Sequence, residues 1–409
     1  MKNKIILITK DVLRADYLAP YGNEFWETPN ITELAKKGTI FYNHYTAAPS
    51  SAMAYSAMFS GLFPHQMNRK KYDKVKPFNQ CKTLFSLLQE KNYSCNVIWD
   101  EVWFKTSYLH SKVYGDATTK FYNLKISQHV GPHHKGIEEA NDTLSNVAVG
   151  SIIDSVKEAL EKDKTFIWLH LPHVILGRTS YGSDIDLLDN IIGRIRDLLD
   201  DNSIYISADH GHMNLDKGIP VYGFHVYQGA IKIPLITPKI NNQSIINFPT
   251  SNVQLKDIIL NNKVEKLPYI FSDSQYYLQE NRKLAIIKDN YKYIYNKINK
   301  TEELYDLDFD PNENVNLLID KYYDRNRYGY YNLSEIYYYP YWDKVEAIYT
   351  ELKAEKNRIW KEGTFWEETA YKLNNFRKKG KKNFSNIINS KKITRGNFGA
   401  TIKNRYYEI

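Results

Sequence analysis

Ile5-Ile6-Leu7-Ile8-Thr9 is an apolar run with no polar residue at alternate positions, and it stops abruptly at Lys10 and Asp11. A run this short and continuous suits a β-strand covered on both faces, as in a parallel sheet flanked by helices. The chain then alternates. Helices are expected over 31–37 (after a Thr-Pro-Asn start and before Gly38), 83–91, 152–161, 184–199 and 251–260. Strands are expected over 94–99, 165–171, 204–208 and 233–236. That order predicts an α/β domain with a mostly parallel central sheet. After about residue 270 the texture changes. Short strands over 284–288, 291–296 and 303–307, joined by Asp/Asn turns, predict a small antiparallel sheet, and 342–362 reads as a helix. The expected organisation is a catalytic α/β domain over 1–270, an α+β subdomain over 271–365 and a basic tail over 366–409.

Composition narrows the class. With 43% hydrophobic and 25% charged residues the balance is that of a globular protein. Two cysteines, Cys81 and Cys95, cannot build a disulfide framework, so a reducing compartment is expected. The opening run is too short for a signal peptide, and no stretch reaches the roughly 20 apolar residues of a membrane span. The expected location is the cytoplasm. The net charge of +8 belongs to the tail: residues 375–409 carry ten Lys or Arg and one acid, Glu408. Such a tail is either a solvated extension or an attachment to an anionic surface, a membrane or an acidic glycan. Nothing points to nucleic acid.

Polar residues gather where the predicted strands end, which in open α/β sheets is where ligands bind. Asp11 follows the first strand. Asp209 and His210 follow 204–208. His170 and His173 close 165–171, and His225 precedes 233–236. Any one of these could be a helix cap or a satisfied structural histidine. Together they supply hard oxygen and imidazole ligands suited to a divalent cation. His212 either extends that set or caps the loop after Asp209. His129, His133 and His134 read as incidental loop residues. The tyrosine-rich run over 321–342 is either a sugar-stacking or a packing surface.

Several blocks have a specific wording. IILITKDVLRADYLAPYGN, ETPNITELAKKGTIFYNHYTAAPSS, SGLFPH, SDIDLLDNIIGRIRDLLDDNSIYISADHGH, GFHVYQGAIKIPLI and DNYKYIYNKINKTEELYDLDFDPNENVNLL stand in order from about 4 to 320. They resemble the sulfatase family of the alkaline phosphatase superfamily. The resemblance implies an alkaline phosphatase-like sandwich with a small C-terminal subdomain. It implies one divalent ion, Ca, Mg, Mn or Zn, held by Asp11, Asp209 and His210. It also implies that Ser51 is the nucleophile, that His173 is a substrate or leaving-group histidine, and that His225 contacts the ester oxygens. His170 and Tyr55 are expected beside the substrate.

The departures from the family pattern bear on the substrate. The formylglycine signal of sulfatases, C/S-x-P/A-x-R, is here Ser51-Ala52-Met53-Ala54-Tyr55, without the Pro/Ala and the Arg. Asp100 falls near a family lysine, and Lys10 precedes Asp11 where the family pairs two aspartates. An unmodified serine with a metal suits phosphoester chemistry, because a sulfated serine hydrolyses poorly. The expected activity is therefore hydrolysis or transfer of phosphate esters, of a small molecule, a glycan or a lipid-linked precursor, through Ser51. The alternatives are a sulfuric ester hydrolase on a carbohydrate sulfate and an inactive, anionic-glycan-binding relative.

Overall fold

The computed structural model describes residues 2–67, 81–99, 119–124, 140–171, 181–220, 222–274, 282–297, 299–318 and 342–362. Met1–Arg358 form one compact unit and Ile359–Ile409 a second, of which only 359–362 are described. His173, Asp100, the three histidines at 129–134, nearly all of the tyrosine-rich run and the basic tail lie outside the described residues.

In chain order the strands are β1 (Lys4–Lys10), β2 (Thr39–Phe41), β3 (His44–Tyr45), β4 (Ser94–Trp99), β5 (Thr119–Asn123), β6 (Thr165–Leu171), β7 (Ile204–Ala208), β8 (Leu235–Thr237), β9 (Ile245–Ile246), β10 (Thr250–Ser251), β11 (Ile270–Asp273), β12 (Lys283–Lys288), β13 (Tyr291–Asn296) and β14 (Thr301–Asp306). The helices are α1 (Pro29–Lys37), α2 (Ser51–Ser60), α3 (Leu84–Glu90), α4 (Ala140–Ala159), α5 (Tyr181–Arg196), α6 (Gln228–Ile231), α7 (Leu255–Asn261) and α8 (Trp342–Glu362).

Eight strands form the central sheet in the order β5-β4-β6-β1-β7-β8-β2-β9. The five from β5 to β7 run parallel, and β8 is antiparallel to both β7 and β2. The reason β1 lacks polar alternation is visible in its two faces. Ile6 and Ile8 pack with Ile31 and Leu34 of α1, Ile152 and Val156 of α4 and Leu188, Ile191 and Ile195 of α5. Ile5 and Leu7 pack with Met58 and Phe59 of α2, Phe85 and Leu88 of α3 and Leu255 and Ile258 of α7. All four β1 residues are at most 2% exposed, and each contributes about 1.5–3 kcal/mol by leaving water. Parallel pairing brings the carboxyl ends of β6, β1 and β7 side by side, with Lys10 opposite Leu171 and Ala208.

The second sheet, β11-β12-β13-β14, is antiparallel throughout. Its Ala285, Ile287 and Ile294 share a core with Tyr45, Met213, Val226 and Ile231. The small sheet thus packs on the segment that follows Asp209 and His210. Among the described residues no helix is long and apolar enough to cross a membrane.

Candidate functional site

The tips of β1 and β7 deliver Asp11, Asp209 and His210 to one point. One ligand atom from each lies within 4.8 Å of the others. His210 Nε2 is 3.4 Å from Asp209 Oδ2 and 3.7 Å from Asp11 Oδ1. Asp209 and His210 are fully buried, whereas Asp11 keeps some exposure.

Local hydrogen bonds fix the chemistry of this cluster. His210 Nδ1 is 2.9 Å from the carbonyl of Gly211. A carbonyl only accepts, so Nδ1 carries the proton and Nε2 presents a lone pair. That lone pair accepts the Ser51 hydroxyl at 3.1 Å. Asp209 Oδ1 accepts the backbone N–H groups of His210 (2.8 Å) and Val12 (3.2 Å). Its Oδ2 is buried and makes no hydrogen bond among the described residues. A buried carboxylate oxygen in that state is costly unless a cation meets it. Two carboxylates and an imidazole lone pair are a donor set that fits a divalent ion.

The backbone is shaped for this arrangement. Val12 has φ +56, an outlier for a β-branched residue, and it turns its N–H towards Asp209. Gly211 lies so close to α6 that a Cβ there would come within 2.1 Å of the Gly229 carbonyl oxygen. Arg14 clamps the two halves together. It donates to the carbonyls of His212 and Met213 and pairs with Asp216 (2.7 Å) and Asp16 (2.5 Å). Nothing in the sequence pattern singles out Val12 or Arg14.

Ser51 is the first residue of α2, with Ser50 at the N-cap. Its hydroxyl therefore sits where backbone N–H groups and the helix dipole favour negative charge. The helix is buried on all sides and ends at Gly61, φ +75. Ser56 and Ser60 donate back to the carbonyls of Ala52 and Ser56, as expected of packing residues.

Tyr55, one turn along α2 from Ser51, and His170, near the end of β6, are 3% and 2% exposed. The Tyr55 hydroxyl is 2.8 Å from His170 Nδ1, and Thr9 Oγ1, which accepts the Trp168 indole N–H, is 2.9 Å from the same nitrogen. Burial pushes the His170 imidazole down to about 3, so it is neutral over the ordinary pH range. In this structure both side chains contact protein. His212 Nδ1 accepts the Asn214 N–H (3.0 Å), which is the loop-capping alternative. His225 is half-buried and stacks on Tyr227 at 5.7 Å.

Comparison with known proteins bears on the family and the fold. Residues 3–174 match the family model described as Sulfatase. An arylsulfatase of Clostridium perfringens is 35% identical over 98 residues, covering 24% of this chain and 20% of that protein. The chain thus aligns with about a fifth of the length of that curated relative. The structure of a 2-O glycosaminoglycan sulfatase superposes with TM-score 0.65 at 15% identity, over 90% of this chain and 94% of that one. The phosphonate monoester hydrolase of Agrobacterium radiobacter superposes with TM-score 0.58 at 13% identity, over 86% and 96%. The sandwich fold read from the sequence is borne out. On substrate, these relatives favour the sulfuric-ester alternative over the phosphate-ester expectation.

Proposed function

We propose that this chain, whose residues 3–174 match the sulfatase family model, is a metal-dependent hydrolase of a carbohydrate sulfuric ester, with Ser51, once converted to formylglycine by a maturing enzyme, at the attacking position. One observation carries the reading: Ser51 Oγ stands at the N-terminus of α2, 3.1 Å from the His210 lone pair that faces Asp11 and Asp209. In this reading Asp11, Asp209 and His210 would hold a divalent ion, and the chemistry it would supply is charge neutralisation at the ester oxygens and at the nucleophile. Residue 51 supplies the nucleophile. His225, and His173 beyond the described residues, serve the substrate. Tyr55, His170 and Thr9 hold one another in place through their mutual hydrogen bonds.

A second reading, phosphate ester hydrolysis or transfer, is favoured by Tyr55. The position that holds arginine in the formylglycine signal carries a buried phenol here, and in this second reading Ser51 acts unmodified. Turnover of 4-nitrophenyl sulfate and 4-nitrophenyl phosphate, with divalent ion present and after chelation, tests both. The proposal expects ion-dependent release of nitrophenol, faster from the sulfate, and a loss of at least about 100-fold in Ser51→Ala. Faster release from the phosphate selects the second reading. Undiminished turnover in Ser51→Ala would end both.

A further inference from the structure

The His210 imidazole has an aromatic neighbour outside the metal-type cluster. The Tyr222 ring lies against it, with centroids 4.6 Å apart and planes 30° apart. The same ring also meets His212, at 5.5 Å and 58°. His212 is itself fixed, because its Nδ1 accepts the Asn214 N–H. Tyr222 therefore touches both the histidine that faces Asp11 and Asp209 and the histidine that caps the loop after them.

Tyr222 is held in turn from the small sheet. Gly223 follows it in a left-handed turn, φ +89, and the next carbonyl, that of Phe224, accepts Lys283 Nζ of β12 at 2.9 Å. Val226 is buried in the core that Met213 shares with Ala285, Ile287 and Ile294 of β12 and β13. The N–H of Gln228 donates to Glu313 Oε2 at 2.7 Å. A segment anchored at three points thus delivers a half-buried ring to His210.

The use of that ring follows from the lone pair. His210 Nε2 has one lone pair, and in this structure it accepts the Ser51 hydroxyl at 3.1 Å. The same lone pair would be the donor to a divalent ion, so the Ser51 bond and ion ligation exclude each other at Nε2. Two restraints on the imidazole survive that exchange: the Nδ1–H bond to the Gly211 carbonyl at 2.9 Å, and the Tyr222 ring. A single hydrogen bond fixes the tautomer but lets the imidazole tilt about it. A ring packed on the face stops the tilt.

We propose that Tyr222 is a positioning residue, whose ring holds the His210 imidazole in the orientation that ligates the ion, and that the small sheet acts on the metal centre by holding Tyr222. The inference rests on the reading of Asp11, Asp209 and His210 as a metal centre and is independent of the ester class.

Calorimetric titration of Ca, Mg, Mn and Zn into the metal-stripped full-length protein reads this without turnover. For the ion that the wild type binds most tightly, Tyr222→Leu is expected to weaken binding by about tenfold or more. Tyr222→Phe, which keeps the ring and loses the hydroxyl, is expected to stay within about threefold of the wild type. Metal-stripped Tyr222→Leu is expected to unfold at the wild-type urea midpoint. Wild-type affinity in Tyr222→Leu overturns the proposal. So does an equal loss in Tyr222→Phe, which would move the role to the hydroxyl, and so does a loss in Tyr222→Leu matched by a lower urea midpoint, which would be a folding effect. If Tyr222→Leu fails to fold, Tyr222→Gln takes its place under the same criteria. The two readings fail separately. A wild type that takes up no ion ends the metal centre and this inference with it, whereas equal affinity in Tyr222→Leu leaves the metal centre standing.

Discussion

At the scale of single residues, the site is held by satisfied hydrogen bonds around a few deliberately unsatisfied atoms. Asp209 Oδ1 accepts two backbone N–H groups while Oδ2 accepts none, and His210 is locked as one tautomer. The same logic produces a pH dependence elsewhere. His44 is fully buried, with Nδ1 on Thr250 Oγ1 at 2.9 Å, and burial lowers its imidazole to about 3. The unfolded chain, with an ordinary histidine near 6.5, binds the proton first. Unfolding free energy should therefore fall as pH drops below about 6.5, by about 1.4 kcal/mol per pH unit from this residue. Urea unfolding between pH 4.5 and 7.5 should show a slope shallower by that amount in His44→Gln. An unchanged slope would contradict it. The convergence of Asp11, Asp209 and His210 was legible because each follows a strand that the sequence marks clearly. The parts of Val12 and Arg14 were not, since a backbone angle and a clamp leave no local pattern.

At the scale of elements, the small sheet does more than cover a face. Lys292 of β13 and Glu313 form an ion pair at 2.5 Å, 0% and 1% exposed, and Glu313 Oε2 accepts the N–H of Gln228 at the start of α6. That bond sets the turn that carries His225 and packs Gly229 against Gly211. A buried pair is weakly stabilising as a whole, yet removing one partner strands the other charge. Lys292→Met or Glu313→Gln should each cost about 3–5 kcal/mol, and the double variant should cost less than the sum of the two. Strict additivity in urea unfolding would contradict the pairing. The strands of the small sheet could be read as short segments joined by Asp/Asn turns. Their role in shaping the α6 turn could not, because it depends on partners 85 residues apart.

At the scale of the whole molecule, the account joins a parallel sheet whose central tips carry oxygen and imidazole donors, a buried helix that presents Ser51, and a second sheet that packs on the segment after His210. The α/β order, the two-sided burial of β1 and the antiparallel C-terminal sheet were all legible, since apolar periodicity reports burial directly. The antiparallel entry of β8 between β7 and β2 was not, because strand direction is set by connections and not by composition. The ester class stayed open for a related reason. The local wording around Ser51 departs from the formylglycine signal, whereas the matching family model and the curated relative are sulfatases. The central claim is that Asp11, Asp209 and His210 hold a divalent ion beside Ser51. Its most direct test is calorimetric titration of Ca, Mg, Mn and Zn into the metal-stripped full-length protein and its Asp209→Asn variant. The account predicts one ion per chain for the wild type and affinity lower by at least about tenfold in the variant. Titration curves that coincide, or a wild type that takes up none of the four ions, would contradict it.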